Sequence, residues 1–257
     1  MTHPAPPRVL SPPRVLSIAG SDSGGGAGIQ ADIKTITMLG GFAMTAICAL
    51  TAQNTLGVSA VVAIDPAMVA AQIDACAQDI GIDAIKIGML GSPAIAEVVA
   101  DRIEALKVPV VFDPVMIATN GAALADPATI AGFERLMALA TLTTPNVPEL
   151  VALGGDEAMA ARGVAYLAKG GDAHGPVVED RLVVPGQPVR LWHSPRIETR
   201  HAHGTGCTLS SAIATELARG ADLEQAIERA RAFVRAALLA APGFGAGNGP
   251  MGHHAVR

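Results

Sequence analysis

Six consecutive residues, His203-Gly204-Thr205-Gly206-Cys207-Thr208, join a thiol, two glycines and two hydroxyls just ahead of a helical pattern. Leu209, Ile213 and Leu217 recur at fourfold spacing down to Gly220, so the hexapeptide is predicted to form a turn at a helix N-terminus. Free N–H groups and the positive end of the helix dipole meet there and favour an anion, phosphate above all. Gly204, Thr205 and Gly206 let the backbone approach it. Cys207 would lie in the first turn, where the same field favours thiolate and suits it to act as a base or nucleophile. A packed cysteine in a glycine-containing loop is the plainer reading, and the hexapeptide by itself leaves both open.

Other polar residues recur directly after stretches that read as strands: Gly20-Ser21-Asp22, Gly88-Met89, Asp113-Pro114, Asn146 with Glu149, and Lys169-Gly170-Gly171. In an open parallel sheet these positions share one rim, where ligands bind. Asn146 and Glu149 set an amide and a carboxylate around a helix start, oxygen donors that suit Mg²⁺; a first-turn acid is the structural reading of Glu149. Asp113 could hold metal or only shape a turn. Lys169 before two glycines suits a phosphate contact or a solvated lysine. Gln53-Asn54 ends an uncharged strand, where buried amides need partners. His203 could tune Cys207 or simply pack, and His253-His254 reads as a frayed tail.

These residues need a scaffold that alternates strands and helices. Val15–Ala19 reads as a strand and Gly20–Gly28 as a loop into a helix carrying Ile29, Ile33, Ile36 and Leu39. That loop has neither a Lys-Ser/Thr end nor the spaced glycines of a dinucleotide fingerprint. From Thr35 to Ile64 no residue is charged, but Gly40-Gly41, Thr51, Gln53 and Asn54 break the run, so two interior strands are expected rather than a membrane span. The second, Val58–Ile64, reads as a buried parallel strand. Asp65-Pro66, Ser92-Pro93 and Asp126-Pro127 each place a capping side chain before a first-turn proline. Further strands are expected at 84–87, 109–113, 141–144 and 164–168, an antiparallel ribbon over 177–192, helices at 207–219 and 223–240, and a loop at 243–249. The pattern predicts an α/β three-layer sandwich with a mostly parallel central sheet.

With 257 residues, 50% hydrophobic and 16% charged, the chain can bury a sizeable core; Pro-Pro-Arg-Val-Leu-Ser occurs at 6–11 and again at 12–17, only the second copy leads into a strand, and residues 1–13 read as a disordered tail ahead of one domain spanning 14–257. A net charge of −5, one Trp and one Tyr give no footprint for nucleic acid. Three widely spaced cysteines and the lack of an apolar leader point to a cytoplasmic protein.

The motifs Ser21-Asp22-Ser23-Gly24-Gly25-Gly26-Ala27-Gly28, Ala52-Gln53-Asn54-Thr55, Lys86-Ile87-Gly88-Met89-Leu90, Asp113-Pro114-Val115-Met116, Thr144-Pro145-Asn146-Val147-Pro148-Glu149, Lys169-Gly170-Gly171 and 203–208, in this order, closely resemble the hydroxymethylpyrimidine and phosphomethylpyrimidine kinases of thiamine biosynthesis, from about Arg14 to Gly252. The resemblance implies a ribokinase-like fold, ATP and Mg²⁺ as cofactors, and a homodimer. It implies phosphorylation of 4-amino-5-hydroxymethyl-2-methylpyrimidine and then of its monophosphate. By position, Gln53, Ala27, Met89 and Val115 would meet the pyrimidine, with Asp32 nearby; Gly204, Thr205, Gly206 and Cys207 would form the anion hole, with Cys207 as base. Asn146, Glu149 and Asp113 would serve the metal, and Lys169, Asn146 and Thr205 the nucleotide. Two departures stand out: a short segment between Glu149 and Lys169, and Asp172-Ala173 where the family often has His-Leu. Competing readings are a pyridoxal kinase, a nicotinamide-dependent oxidoreductase, and a pyrimidine-binding sensor without activity.

Overall fold

The computed structural model describes residues 11–116 and 127–256. Its strands are β1 (Arg14–Asp22), β2 (Phe42–Asn54), β3 (Gly57–Ala63), β4 (Ala84–Ile87), β5 (Val110–Phe112), β6 (Leu142–Thr143), β7 (Tyr166–Ala168), β8 (Val177–Val183) and β9 (Arg190–Pro195). They form one sheet in the order β3-β2-β1-β4-β5-β6-β7-β8-β9. The six strands from β2 to β7 in that order run parallel, and β3, β8 and β9 are antiparallel to their neighbours.

The helices are α1 (Gly28–Met38), α2 (Pro66–Ala75), α3 (Pro93–Leu106), α4 (Pro127–Leu139), α5 (Val147–Ala152), α6 (Gly155–Arg162), α7 (Thr205–Ala218) and α8 (Leu223–Leu239). Strand alternation sorts them into two outer layers. Leu16, Ile18, Ile85, Ile87 and Phe112 face one way, onto Val69 and Ile73 of α2, Ile95 and Val99 of α3, and Phe133 and Leu136 of α4. Phe112 and Phe133 meet edge to face at 5.1 Å, worth about 1 kcal/mol beyond their burial. Val15, Val111, Leu142 and Leu167 face the other way, onto Ile36 of α1, Leu209 and Ile213 of α7, and Ile227 of α8. The expected three layers are present.

Two helix starts follow the expected capping. Asp65 accepts from the Ala67 N–H and Ser92 from the Ile95 N–H, each with proline in the first turn. α4 begins at Pro127, while the expected cap Asp126 lies outside the described residues, as do residues 1–10 of the expected tail.

Three expectations are corrected. Val58–Ile64 is not a buried parallel strand: β3 is the antiparallel edge, with Val61 and Val62 exposed. An apolar run without alternation reads alike on an edge and in a core, and only pairing separates them. Asn54 is not a buried amide either, because it is exposed and its side chain accepts the Leu56 and Gly57 N–H groups, closing the β2–β3 hairpin. Nor is the C-terminus frayed at His253, which is buried in a 3₁₀ turn (His253–Ala255) and bonds Thr208 Oγ1 at 2.8 Å.

Candidate active site

β1 ends in a short loop whose N–H groups need partners. Asp22 supplies them, accepting from Gly24 at 2.7 Å and from Gly26 and Ala27 at 2.9 Å each. The same carboxylate meets His203 Nε2 at 3.1 Å. Burial pushes the Asp22 carboxyl up, but the His203 contact and the backbone donors outweigh it, and the group stays below its usual range. Gln53 Nε2 also approaches His203 Nε2, at 3.1 Å.

α7 opens at Gly204, in the left-handed region at φ +86°, with no side-chain cap. A Cβ there would lie 1.9 Å from the Gly26 carbonyl oxygen, so the two glycine turns touch through backbone. Glycine is therefore required on steric grounds as well as by φ. The uncapped first-turn N–H groups and the helix dipole leave a positive end facing the sheet rim.

The rim is a cavity of about 640 Å³, within the usual size for small-molecule sites. Its walls include Ala27, Gln53, Met89, Asp113, Val115, Asn146, Glu149, Lys169 and the turn from Gly204 to Cys207. Every residue singled out for a site thus reaches one cavity, with a single exception. Asp32 is fully buried away from it, paired with Lys86 at 2.9 Å and accepting from Ser17 and Ser211 hydroxyls at 2.5 and 2.7 Å. Asp32 offers a substrate no surface.

Cys207 also departs from expectation. Two helix starts bear on its sulfur, that of α7 and, through the Gly28 N–H, that of α1, and both favour thiolate. Burial is the larger influence: it pushes the thiol up to about 11 against the pull of Lys86. Sequence showed the helix field but not the desolvation.

On the far side of the turn, Lys169 Nζ lies 2.6 Å from Asp113 and 3.8 Å from Glu149. Asn146 and Glu149 form a reciprocal capping box at 2.8 Å each way, so the Asn146 carbonyl oxygen is engaged in starting α5. Burial first, with the charges of Asp113 and Asp172 adding to it, pushes the Glu149 carboxyl up to about 7 despite Lys169. Two carboxylates around one ammonium mark a place where a cation is already held. Among the described residues no three acidic, His or Cys side chains gather as a cage. The donors present fit a hard, largely hydrated ion held by one or two carboxylates, the common manner of Mg²⁺.

The rest of the wall comes from residues the motifs did not flag. Asp180 of β8 accepts the Gly170 N–H at 3.0 Å and Arg231 Nε of α8 at 2.6 Å, fixing the turn after Lys169. Arg196 donates to the carbonyls of Gly171 (2.8 Å), Gly175 (2.7 Å) and Ala173, gripping the loop that carries Asp172-Ala173. Between Glu149 and Lys169 two short helices, α5 and α6, fill the segment that looked curtailed. Lys86 was also missed, though a lysine inside Ala84-Ile85-Lys86-Ile87 is a detectable anomaly: a charge in a buried strand needs a partner.

A parallel sheet covered on both faces, with an uncapped helix start, a lysine and two carboxylates on one rim, belongs to the small-molecule kinases of ribokinase-like fold. Solved structures agree: a Bacillus subtilis pyridoxal kinase in an ADP complex superposes with a TM-score of 0.88 at 34% identity, covering 96% of this chain and 99% of that one. A phosphomethylpyrimidine kinase from Clostridium difficile 630 gives a TM-score of 0.73 at 35% identity, covering 86% and 97%. Residues 22–252 match the family model described as phosphomethylpyrimidine kinase, and the chain belongs to that family. The hydroxymethylpyrimidine/phosphomethylpyrimidine kinase of Rhizobium meliloti is 45% identical over 93% of this chain and 96% of its own length. The thiamine biosynthesis bifunctional protein ThiED of Geobacter sulfurreducens is also 45% identical, and there the chain spans about half, 52%, of the relative. No helix among the described residues is long and apolar enough to cross a membrane.

Proposed function

We propose that this chain phosphorylates 4-amino-5-hydroxymethyl-2-methylpyrimidine, and then its monophosphate, at the expense of ATP, in thiamine biosynthesis. The observation that carries the reading is the uncapped start of α7, with Cys207 in its first turn, opening on the same cavity as Gln53 and Lys169. Gln53 would hydrogen-bond the aminopyrimidine between Ala27, Met89 and Val115. Lys169, with Thr205 and Asn146, would contact the nucleotide phosphates.

In the transfer, the hydroxymethyl oxygen bonds to the γ-phosphorus while the bond from phosphorus to the leaving ADP oxygen breaks. The hydroxymethyl proton would pass to Cys207 Sγ in its thiolate form, the resting thiol having first lost its own proton to solvent. Phosphoryl transfer rests mainly on positioning and on neutralising the equatorial oxygens, which the Thr205, Gly206 and Cys207 N–H groups and the dipole of α7 would do. Mg²⁺, held by Asp113 and Glu149 with Asn146 fixing Glu149, would supply further neutralisation of phosphate charge. With the Cys207 thiol up at about 11, the thiolate would be a strong base present in only a small fraction of resting molecules. The three free cysteines support a reducing, cytoplasmic setting, and the exposed Phe42, Leu50, Val61 and Val62 on β2 and β3 support a homodimer.

Pyridoxal is the second reading, favoured by the likeness to pyridoxal kinases. ADP release from Mg-ATP with each pyrimidine and with pyridoxal separates the two. Turnover of both pyrimidines well above pyridoxal is expected; preference for pyridoxal would overturn the assignment, and binding without ADP release would make the chain a sensor.

A further inference from the structure

Lys86 is an unusual residue to bury. It sits in the middle of β4 with no exposed surface, and its ion-pair partner Asp32 has none either. Buried pairs of this kind add little net stability compared with apolar replacements, because desolvation offsets the attraction. Their placement is therefore informative.

Ser17 and Lys86 are register partners on adjacent parallel strands, and both point to the α1/α7 layer, where they meet the same Asp32 oxygen. The other Asp32 oxygen takes the hydroxyl of Ser211, four residues after Cys207 and so on the same face of α7. The ammonium lies beside the Gly88 backbone, where a Cβ would be 2.7 Å from Nζ. Lys86 thus stands beneath the first turn of α7, behind the cavity wall. An ammonium carries three donors, and Asp32 accounts for the one hydrogen bond it makes among the described side chains.

We propose that Lys86, held charged by Asp32, is a positioning residue that sustains the negative charge of Cys207 Sγ when the thiol gives up its proton. The proposal rests on the reading of Cys207 as base. The charged groups around Cys207 are Lys86 from β4, Asp32 from α1, Asp113 after β5 and Lys169 after β7. Of the influences opposing burial at Cys207, Lys86 is the largest, while Asp32 and Asp113 act against ionisation. Cys207 in turn holds the Lys86 ammonium up, second only to Asp32 among the charges that do so. Neutralising the pair while keeping its volume should make the thiolate harder to form, and so should removing Asp32 alone, because burial then drives the unpaired Lys86 to its neutral form.

The test is the pH profile of Cys207 alkylation by iodoacetamide, followed by mass spectrometry in a Cys76→Ser background. In Lys86→Met/Asp32→Asn the profile is expected to move up by at least about one pH unit, a tenfold slower reaction at pH 8, with pyrimidine KM within twofold of the parent and kcat reduced. In Asp32→Asn the profile is also expected to move up, as Lys86 loses the partner that keeps it charged. Lys86→Arg should keep the parent profile. A folded double variant with an unmoved profile would overturn the proposal; if that variant does not fold, an unmoved or lowered profile in Asp32→Asn overturns it. Should Cys207→Ala keep full turnover while these shifts occur, the base assignment fails and the electrostatic coupling stands.

Discussion

Replacing Gly204 by alanine should damage turnover far more than stability. The added carbon would lie 1.9 Å from the Gly26 carbonyl oxygen and 3.2 Å from Ala27 Cα. Side-chain carbons do not approach closer than 3.0 Å, so the start of α7 and the loop before α1 must separate by about 1 Å. A displacement of that size between reacting groups costs roughly 10²-fold in rate, about 2.7 kcal/mol of barrier. The left-handed conformation at φ +86° adds a conformational cost of about 1–2 kcal/mol, or a fall in Tm of roughly 2–8 °C at this size. Gly220 isolates the second term, since it has φ +87° and open space around it; Gly220→Ala should lower Tm by a similar amount and leave kcat alone. Gly171→Ala, with no positive φ and nothing within 4 Å, should be close to neutral. Steady-state ADP release and thermal melts of the three variants decide the matter. A Gly204→Ala enzyme with kcat within threefold of the parent and a Tm no lower than that of Gly220→Ala would refute the argument.

Cys207→Ala should lose about 10²–10⁴-fold in kcat while binding pyrimidine nearly as before by calorimetry. With the thiol up at about 11, thiolate at pH 8 is on the order of one molecule in 10³, so parent kcat should climb between pH 8 and 10 and the variant profile should be flat. Glu149, pushed up to about 7, holds a proton that a metal must displace, so Mg-ATP affinity should rise from about pH 6 to about pH 8 and level off above; Glu149→Gln should abolish that rise in a calorimetric titration, and an identical profile would count against the metal role. His253, pushed down to about 4 by burial, stays neutral in the folded state while the unfolded chain protonates near 6.5. Stability is then lost as pH falls from about 6.5 towards 4, by about 2 kcal/mol at pH 5 relative to pH 7.5, and urea midpoints of His253→Gln should lack this component.

Much of the scaffold was legible in local signals. Ala84–Ile87 is a strand with the expected bounds, and Asp65-Pro66 and Ser92-Pro93 start helices through the side-chain caps their types suggest. What remained hidden depends on groups distant in the chain. β3 could not be told from an interior strand because an edge is defined by the missing neighbour. Asp32 lies 54 residues from Lys86 and 179 from Ser211, and no spacing rule connects them. The field at Cys207 could be read from its helix, whereas its burial needed α1 and β4 in place. Likewise His253 finds Thr208 across 45 residues. The rim itself was legible because four of the five strand ends carry polar side chains, Ser21 and Asp22, Asp113, Asn146 with Glu149, and Lys169, a local signal that recurs along the chain.

Arg196 holds the loop after Lys169 by three carbonyl oxygens and by no side chain of that loop. A grip on main chain is indifferent to what Asp172, Ala173 and His174 carry. Ala173 and His174 are therefore open to labels or library diversification, while Arg196 is not, and neither is Asp172, which lines the cavity and whose charge acts on Glu149.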